Sequence, residues 1–210
     1  MSTDVEGEVR AFYTERVPAQ LNASLAAQRA AAVDDADAAR VLEEMEAVRA
    51  SIVVQVGDDA GGRFAYDVER GEAQHVEAPS RPPFMVLAHD VAHFAAIRRE
   101  CGDSLLGFLG ALAGIGDALR LTALLVRNLR ELDGGLVFER VGEDGFALRA
   151  HFGSNEPDAP RATIRIDEAT YARLRSGELD PQDAFLAGEI AVEGDEGMAI
   201  GLALAAMAPA

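Results

Sequence analysis

Hydrophobic positions recur with a helical period over the first fifty residues and then with a period of two. Residues 1–50 read as an N-terminal helical region, with a break at Val17-Pro18, because the residue before proline is pushed out of the helical conformation. Asp34, Asp35 and Asp37 supply cap-like carboxylates ahead of Val41, Leu42, Met45 and Val48, which share one helical face. From Ser51 the pattern turns to strands. Ser51–Val56 is β-branched and ends at Gly57-Asp58-Asp59. In Arg63–Glu69, Phe64, Tyr66 and Val68 alternate with Ala65, Asp67 and Glu69, which predicts a half-buried antiparallel strand. Arg70-Gly71 turns into a further short strand, and Pro79 to Pro83 predicts a rigid loop before the strand Phe84–Ala88. Helices over Asp90–Arg99 and Asp103–Leu109 and a strand over Ala111–Ile115 follow.

The second half repeats that order. Leu121, Leu124, Leu125, Leu129 and Leu132 predict a helix over Asp117–Leu132, with Asp117 as its N-cap. Strands at Leu136–Val141, Phe146–Phe152 and Ala162–Ile166 come next, with a polar loop at Gly153–Pro160. Helices Glu168–Arg175 and Pro181–Leu186, a strand Glu189–Glu193 and an apolar helix Glu196–Met207 complete the chain. Strands first, helices later and a late returning strand point to an α+β fold.

The repetition extends to single residues. Gly110-Ala-Leu-Ala-Gly-Ile-Gly116-Asp117 returns as Gly188-Glu-Ile-Ala-Val-Glu-Gly194-Asp195. In the same register Met85–His89 overlies Thr163–Asp167, and Asp90–Cys101 overlies Glu168–Leu179. At a slightly different offset, Val56-Gly57 with Phe64-Ala65 corresponds to Val141-Gly142 with Phe146-Ala147. A unit this long is a whole small fold rather than a solenoid turn. The expected organisation is a helical region over 1–50, a diverged first unit over 51–132 and a second unit over 117–210. The helix over 117–132 is shared, and the two units pack as a pseudo-dimer about a pseudo-two-fold axis.

Composition narrows the function. The net charge of −17 argues against a nucleic-acid partner, since phosphate binding needs clustered cations, and against purely electrostatic attraction to anionic lipid. Every basic residue other than histidine is arginine, which excludes a P-loop lysine, a Schiff base or a lysine base supplied by these residues. The apolar stretch Leu105–Val126 is interrupted by Asp117 and Arg120 and falls short of the ~20 residues that span a bilayer, so no integral membrane span is expected. Cys101 is the single cysteine, and the opening stretch Met1–Arg16 is acidic and mixed, so a cytoplasmic location is the expectation.

The second unit resembles the sterol carrier protein 2 (SCP2) family. The residues that carry the resemblance are Ala162-Thr-Ile-Arg-Ile-Asp167, Leu174-x-x-Gly177, Asp180-Pro-Gln-Asp-Ala-Phe185 and Gly188-Glu-Ile-Ala-Val-Glu-Gly194-Asp195, followed by the apolar run Gly197–Met207. The resemblance covers about the last third of the chain, and the internal repeat extends it to the first unit. It implies two SCP2-like α+β units, each a mainly antiparallel sheet covered by helices that enclose an apolar tunnel. The function it implies is non-enzymatic lipid or sterol binding or transfer, with a sterol, fatty acyl or isoprenoid-like ligand and no cofactor. The alternative it implies is an accessory protein that presents a lipid or isoprenoid-quinone intermediate to a partner enzyme or makes transient membrane contact. The implied lining is Phe185, Leu186, Ile190, Val192, Met198, Ile200, Leu202 and Leu204, with Phe94, Leu106 and Phe108 as the counterpart in the first unit. Met198 and Leu202, on one helix stripe, are expected to face the ligand.

Two rival motifs remain. His89-Asp-Val-Ala-His93 has the spacing of a zinc-enzyme helix motif, with aspartate where glutamate is needed. The repeat instead makes His89 the counterpart of the helix-capping Asp167, with His93 a packed side chain, and zinc is not expected. Gly114-x-Gly116-x-x-Leu119 ends in leucine where a dinucleotide fingerprint needs glycine or alanine. Cys101, near Arg98 and Arg99 but without a histidine partner in sequence, is expected to be an inert thiol.

Overall fold

A computed structural model describes residues 3–57, 62–153 and 159–207. The expected Asp58-Asp59 turn and positions 154–158 of the expected polar loop lie outside them. The chain opens with α1 (Thr3–Ala11), a π-helical turn at Phe12–Arg16 and α2 (Val17–Ala31). The expected break at Pro18 is not there. Pro18 sits in the first turn of α2, directly after the π-turn, where a missing N–H costs little. Asp35 caps α3 (Ala36–Glu46) by accepting from the N–H groups of Asp37 and Ala38.

One eight-stranded sheet then takes up both halves of the chain, in the order β3-β2-β1-β4-β6-β5-β7-β8. Its strands are β1 (Arg49–Val56), β2 (Gly62–Glu69), β3 (Glu72–Val76), β4 (Met85–His89), β5 (Gly134–Val141), β6 (Phe146–Phe152), β7 (Ala162–Asp167) and β8 (Ile190–Gly194). β1 runs antiparallel to β2 and parallel to β4, just as β5 runs antiparallel to β6 and parallel to β7. The junction is the antiparallel pair β4–β6, with Met85 opposite Phe152. The trio β2-β1-β4 is therefore followed by β6-β5-β7 with the same order and directions. This is a shift along the sheet, whereas the expected two-fold axis would have reversed the strand order.

Alternation puts every second residue of each strand on a common face. Ile52, Tyr66, Met85, Phe152, Leu136 and Ala162 lie on it across the sheet by register, and all are buried. Helices α4 (Phe94–Cys101), α5 (Gly107–Leu112), α6 (Ala123–Leu132), α7 (Glu168–Ser176), α8 (Pro181–Leu186) and α9 (Glu196–Met207) complete the fold, and their apolar residues join the same core. A single-turn 3-10 helix, Val91–His93, leads into α4, and Asp90 caps it by accepting from Ala92 N–H. The cap is thus Asp90 and not His89. Arg140 of β5 is fully buried and donates to both carboxylate oxygens of Glu100 in α4, at 2.6 and 3.0 Å, which ties the two halves together.

Two expectations between residues 103 and 132 change. The helix expected at Asp103–Leu109 forms at Gly107–Leu112, and the strand expected at Ala111–Ile115 does not form. The edge of β4 where such a strand would pair is already taken by β6, whereas the matching edge of β7 takes β8. The glycines serve a close approach instead: a Cβ at Gly110 would stand 2.0 Å from the carbonyl oxygen of Gly116. The helix α6 begins late, capped by Thr122, whose hydroxyl accepts from Leu125 N–H, rather than by Asp117.

Candidate functional site

Around α9 the apolar residues outnumber the core positions available to them. The helix starts where Asp195 accepts from Met198 N–H, and Arg161 donates to the other carboxylate oxygen of Asp195, holding it below the usual carboxylate range. Met198, Leu202 and Ala205 are buried in the core, with Met198 packed towards Gly134 at the start of β5. Gly201 admits Leu132 of α6, whose Cδ2 would lie 2.9 Å from a Cβ there. The remaining side of α9 is just as apolar, yet Ile200, Leu204 and Met207 are exposed. A helix that is apolar all round is normally covered all round.

That uncovered side closes a cavity of about 450 Å³. Its floor is Ile164 of β7 with Ile190 and Val192 of β8, and its wall is Phe185 and Leu186 of α8. Ala199, Ile200, Ala203, Leu204 and Met207 of α9 face them, and Leu112 of α5 reaches in from the first half of the chain. Only Asp180, Pro181 and Gln182, at the start of α8, add a less apolar edge. The short α8 buries only Ala184, leaving Leu186 74% exposed. Among the described residues eight large apolar side chains are exposed, and five of them line this cavity. Such clustering departs from the ordinary scatter of single exposed apolar residues.

Six of the eight lining residues implied by the sequence therefore meet at one cavity: Phe185, Leu186, Ile190, Val192, Ile200 and Leu204. Met198 and Leu202 do not, because the stripe they share faces the sheet. Leu112 and Met207 were missed. Met207 was reachable from its helical spacing to Ala203 and Leu204, while nothing local in the sequence brings Leu112 here.

Among the described residues, no comparable apolar cavity surrounds the expected counterpart lining of the first half. Phe94, Leu106 and Phe108 are all buried. The π-turn inserts Phe12 and Tyr13 against them, with Phe12 edge-on to Phe94 at 5.3 Å and Tyr13 stacked on Phe64 at 5.0 Å. What is left, between Tyr13, His89, Cys101 and Phe108, is about 20 Å³, room for roughly one water-sized probe. His89 and His93 do not form a metal-binding face. His89 ends β4, its Nε2 accepting from Tyr13, while His93 Nδ1 accepts from Ala147 N–H at 3.3 Å. Cys101 lies buried with its Sγ 3.6 Å from the Tyr171 hydroxyl, which burial pushes far above its ordinary pKa.

Residues 116–206 match the SCP-2 sterol transfer family, so the second half of the chain carries an SCP2 sterol transfer domain. Among solved structures, sterol carrier protein 2 from Yarrowia lipolytica in its apo form is similar, at 16% identity. That likeness covers 48% of this chain and 94% of the other, with a TM-score of 0.29. No curated protein matches the chain in sequence. Among the described residues no helix is long and apolar enough to cross a membrane.

Proposed function

We propose that the protein is a non-enzymatic lipid-binding or lipid-transfer protein that holds an apolar ligand between α8, β8 and α9. The observation that supports this most directly is the uncovered apolar side of α9, which a ligand in the cavity would cover. The SCP2 domain over 116–206 supports it independently. Each methylene transferred from water into the cavity contributes ~0.8 kcal/mol, so a ten-carbon chain gains on the order of 8 kcal/mol before ordering costs. No charge transfer or bond making is needed for that, in keeping with a lining that is aliphatic and aromatic almost throughout.

In this reading the chain works as two units, over 51–132 and 117–210, preceded by the helical region 1–50, and acts in the cytoplasm. The second unit holds the ligand, and the first contributes Leu112 to its wall. The exposed rim residues Leu186 and Leu204 also suit a handover, in which the ligand passes to a membrane surface or to a partner enzyme. Titration with a fluorescent sterol, together with lipid extraction and mass spectrometry of protein purified from its host, tests the proposal. A saturable fluorescence change lost in Ile200→Glu and Leu204→Glu is the expected result. Unchanged binding in both folded variants would place the ligand elsewhere.

A further inference from the structure

Resting on the lipid-binding reading above, we propose that Leu112 forms the inner end of the α8–α9 cavity and sets the length of apolar chain that the protein accepts. Leu112 precedes residues 116–206, so this limit is imposed on the SCP2 domain by the other half of the chain. The lining is graded in exposure. Leu186, Ile200, Leu204 and Met207 are exposed, whereas Leu112 is only 6% exposed and Ile164 only 3%. A chain that enters among the exposed side chains and goes on burying methylenes therefore runs towards Leu112 and Ile164. Ile164 belongs to β7 and forms the floor, while Leu112 comes from a separate element, α5, which packs against both α7 and α9.

A stop must not yield, and α5 is fixed. All of its residues, Gly107–Leu112, are buried. Beyond it, two close approaches fasten the following loop to the second half. A Cβ at Gly114 would lie 2.8 Å from Cδ of Pro181, and one at Gly116 would lie 2.6 Å from the carbonyl oxygen of Arg175. Backbone thus meets the start of α8 and the end of α7 with no side chain between, which leaves α5 little room to retreat from an incoming chain. A chain that is too long must leave its last carbons in water or overpack Leu112. Short of Leu112, each further methylene tightens binding by up to about fourfold, and beyond it the gain stops.

The test is isothermal titration with straight-chain fatty acids of increasing length, from octanoic to octadecanoic acid. For the unaltered protein the affinity should rise with length and then level off. Leu112→Ala frees room for about two to three chain carbons, so the rise should continue to longer acids, and the first acids beyond the original limit should bind about tenfold more tightly. Leu112→Phe should move the limit to shorter acids. Leu109→Ala, on the same helix but outside the lining, should also destabilise the fold yet leave the limit in place. Opposite shifts from a smaller and a larger side chain are what a merely structural role would not produce. Where Leu112→Ala does not fold, Leu112→Val takes its place beside Leu112→Phe. An unchanged limit in the folded Leu112 variants, the same shift in Leu109→Ala, or a rise that runs through the whole series in the unaltered protein would overturn the length limit while leaving the lipid site standing. Binding of the fluorescent sterol but of no acid would overturn it too. Failure of the sterol and of every acid to bind would overturn the lipid site itself.

Discussion

The hydroxyl of Tyr13 donates a 2.6 Å hydrogen bond to Nε2 of His89, joining residues 76 positions apart. Nδ1 of the same ring lies 2.8 Å from the carbonyl oxygen of Asp90, an acceptor only, so the partners assign the proton to Nδ1 and leave the ring neutral. The bond fastens the N-terminal helices to the end of β4. In doing so it fills the first half of the chain with its own aromatic side chains.

Burial holds the His89 pKa below its ordinary 6.5, outweighing the raising effect of the Asp90 carbonyl. The unfolded chain therefore binds more protons than the folded one as pH falls through about 6.5. The stability due to this group is fully present above that pH and is lost below it. Urea midpoints taken from about pH 8 to about pH 5 should fall more steeply for the unaltered protein than for His89→Gln, which has no imidazole to titrate. Parallel curves would remove His89 as the cause.

Deleting the inserted rings should open apolar space beside Phe94. Tyr13→Phe loses one buried hydrogen bond and should cost about 1–2 kcal/mol, whereas Phe12→Ala should cost about 3–5 kcal/mol. Where Phe12→Ala still folds, the cavity it opens is lined by Phe94, Tyr13 and other apolar side chains, and a small apolar molecule such as benzene should raise its melting temperature. No shift with benzene would mean that the arm collapses into the gap.

The two sides of α9 should respond differently to the same substitution. Met198→Glu and Leu202→Glu place a carboxylate in the core and should cost several kcal/mol, seen as loss of cooperative unfolding. Ile200→Glu and Leu204→Glu change exposed positions and should leave the melting temperature within a few degrees of the original. Circular dichroism melts distinguish the two outcomes. Equal losses on both sides would show α9 to be covered all round.

Arg140 and Glu100 form a pair that is costly to break singly. Glu100→Ala leaves a buried guanidinium without its bidentate partner and should destabilise by about 3–5 kcal/mol. Exchanging both residues, Glu100→Leu with Arg140→Met, should recover most of that loss. Chemical denaturation of the single and double variants measures the difference. A double variant no better than Glu100→Ala would mean that the contact of Arg140 with the Asp144 carbonyl, rather than the ion pair, governs the site.

Much of the architecture was legible because its signals are local. The alternation in Arg63–Glu69 predicts β2, and the segments Glu168–Arg175, Pro181–Leu186 and Glu189–Glu193 became α7, α8 and β8 with ends shifted by at most one residue. The cavity residues of α8 and β8 were legible for the same reason. Where the expectation failed, a distant partner decided. Ala111–Ile115 carries the pattern that makes β8 in its counterpart, yet it forms no strand, because β6 has taken the edge of β4.

The chain's own pattern determined which segments could be strands or helices and which residues were apolar enough to require cover, since period and turn chemistry act over a few residues. It also left the segment from Glu178 to Met207 without a basic side chain. Only the tertiary structure decided that the two sets of strands join by a shift along one sheet, that Met198 faces inward while Ile200 faces the cavity, and that Phe12 and Tyr13 occupy the first half. An apolar side chain records a need for burial but not which surface supplies it. That choice rests on packing between segments dozens of residues apart, where shape and available volume select one arrangement.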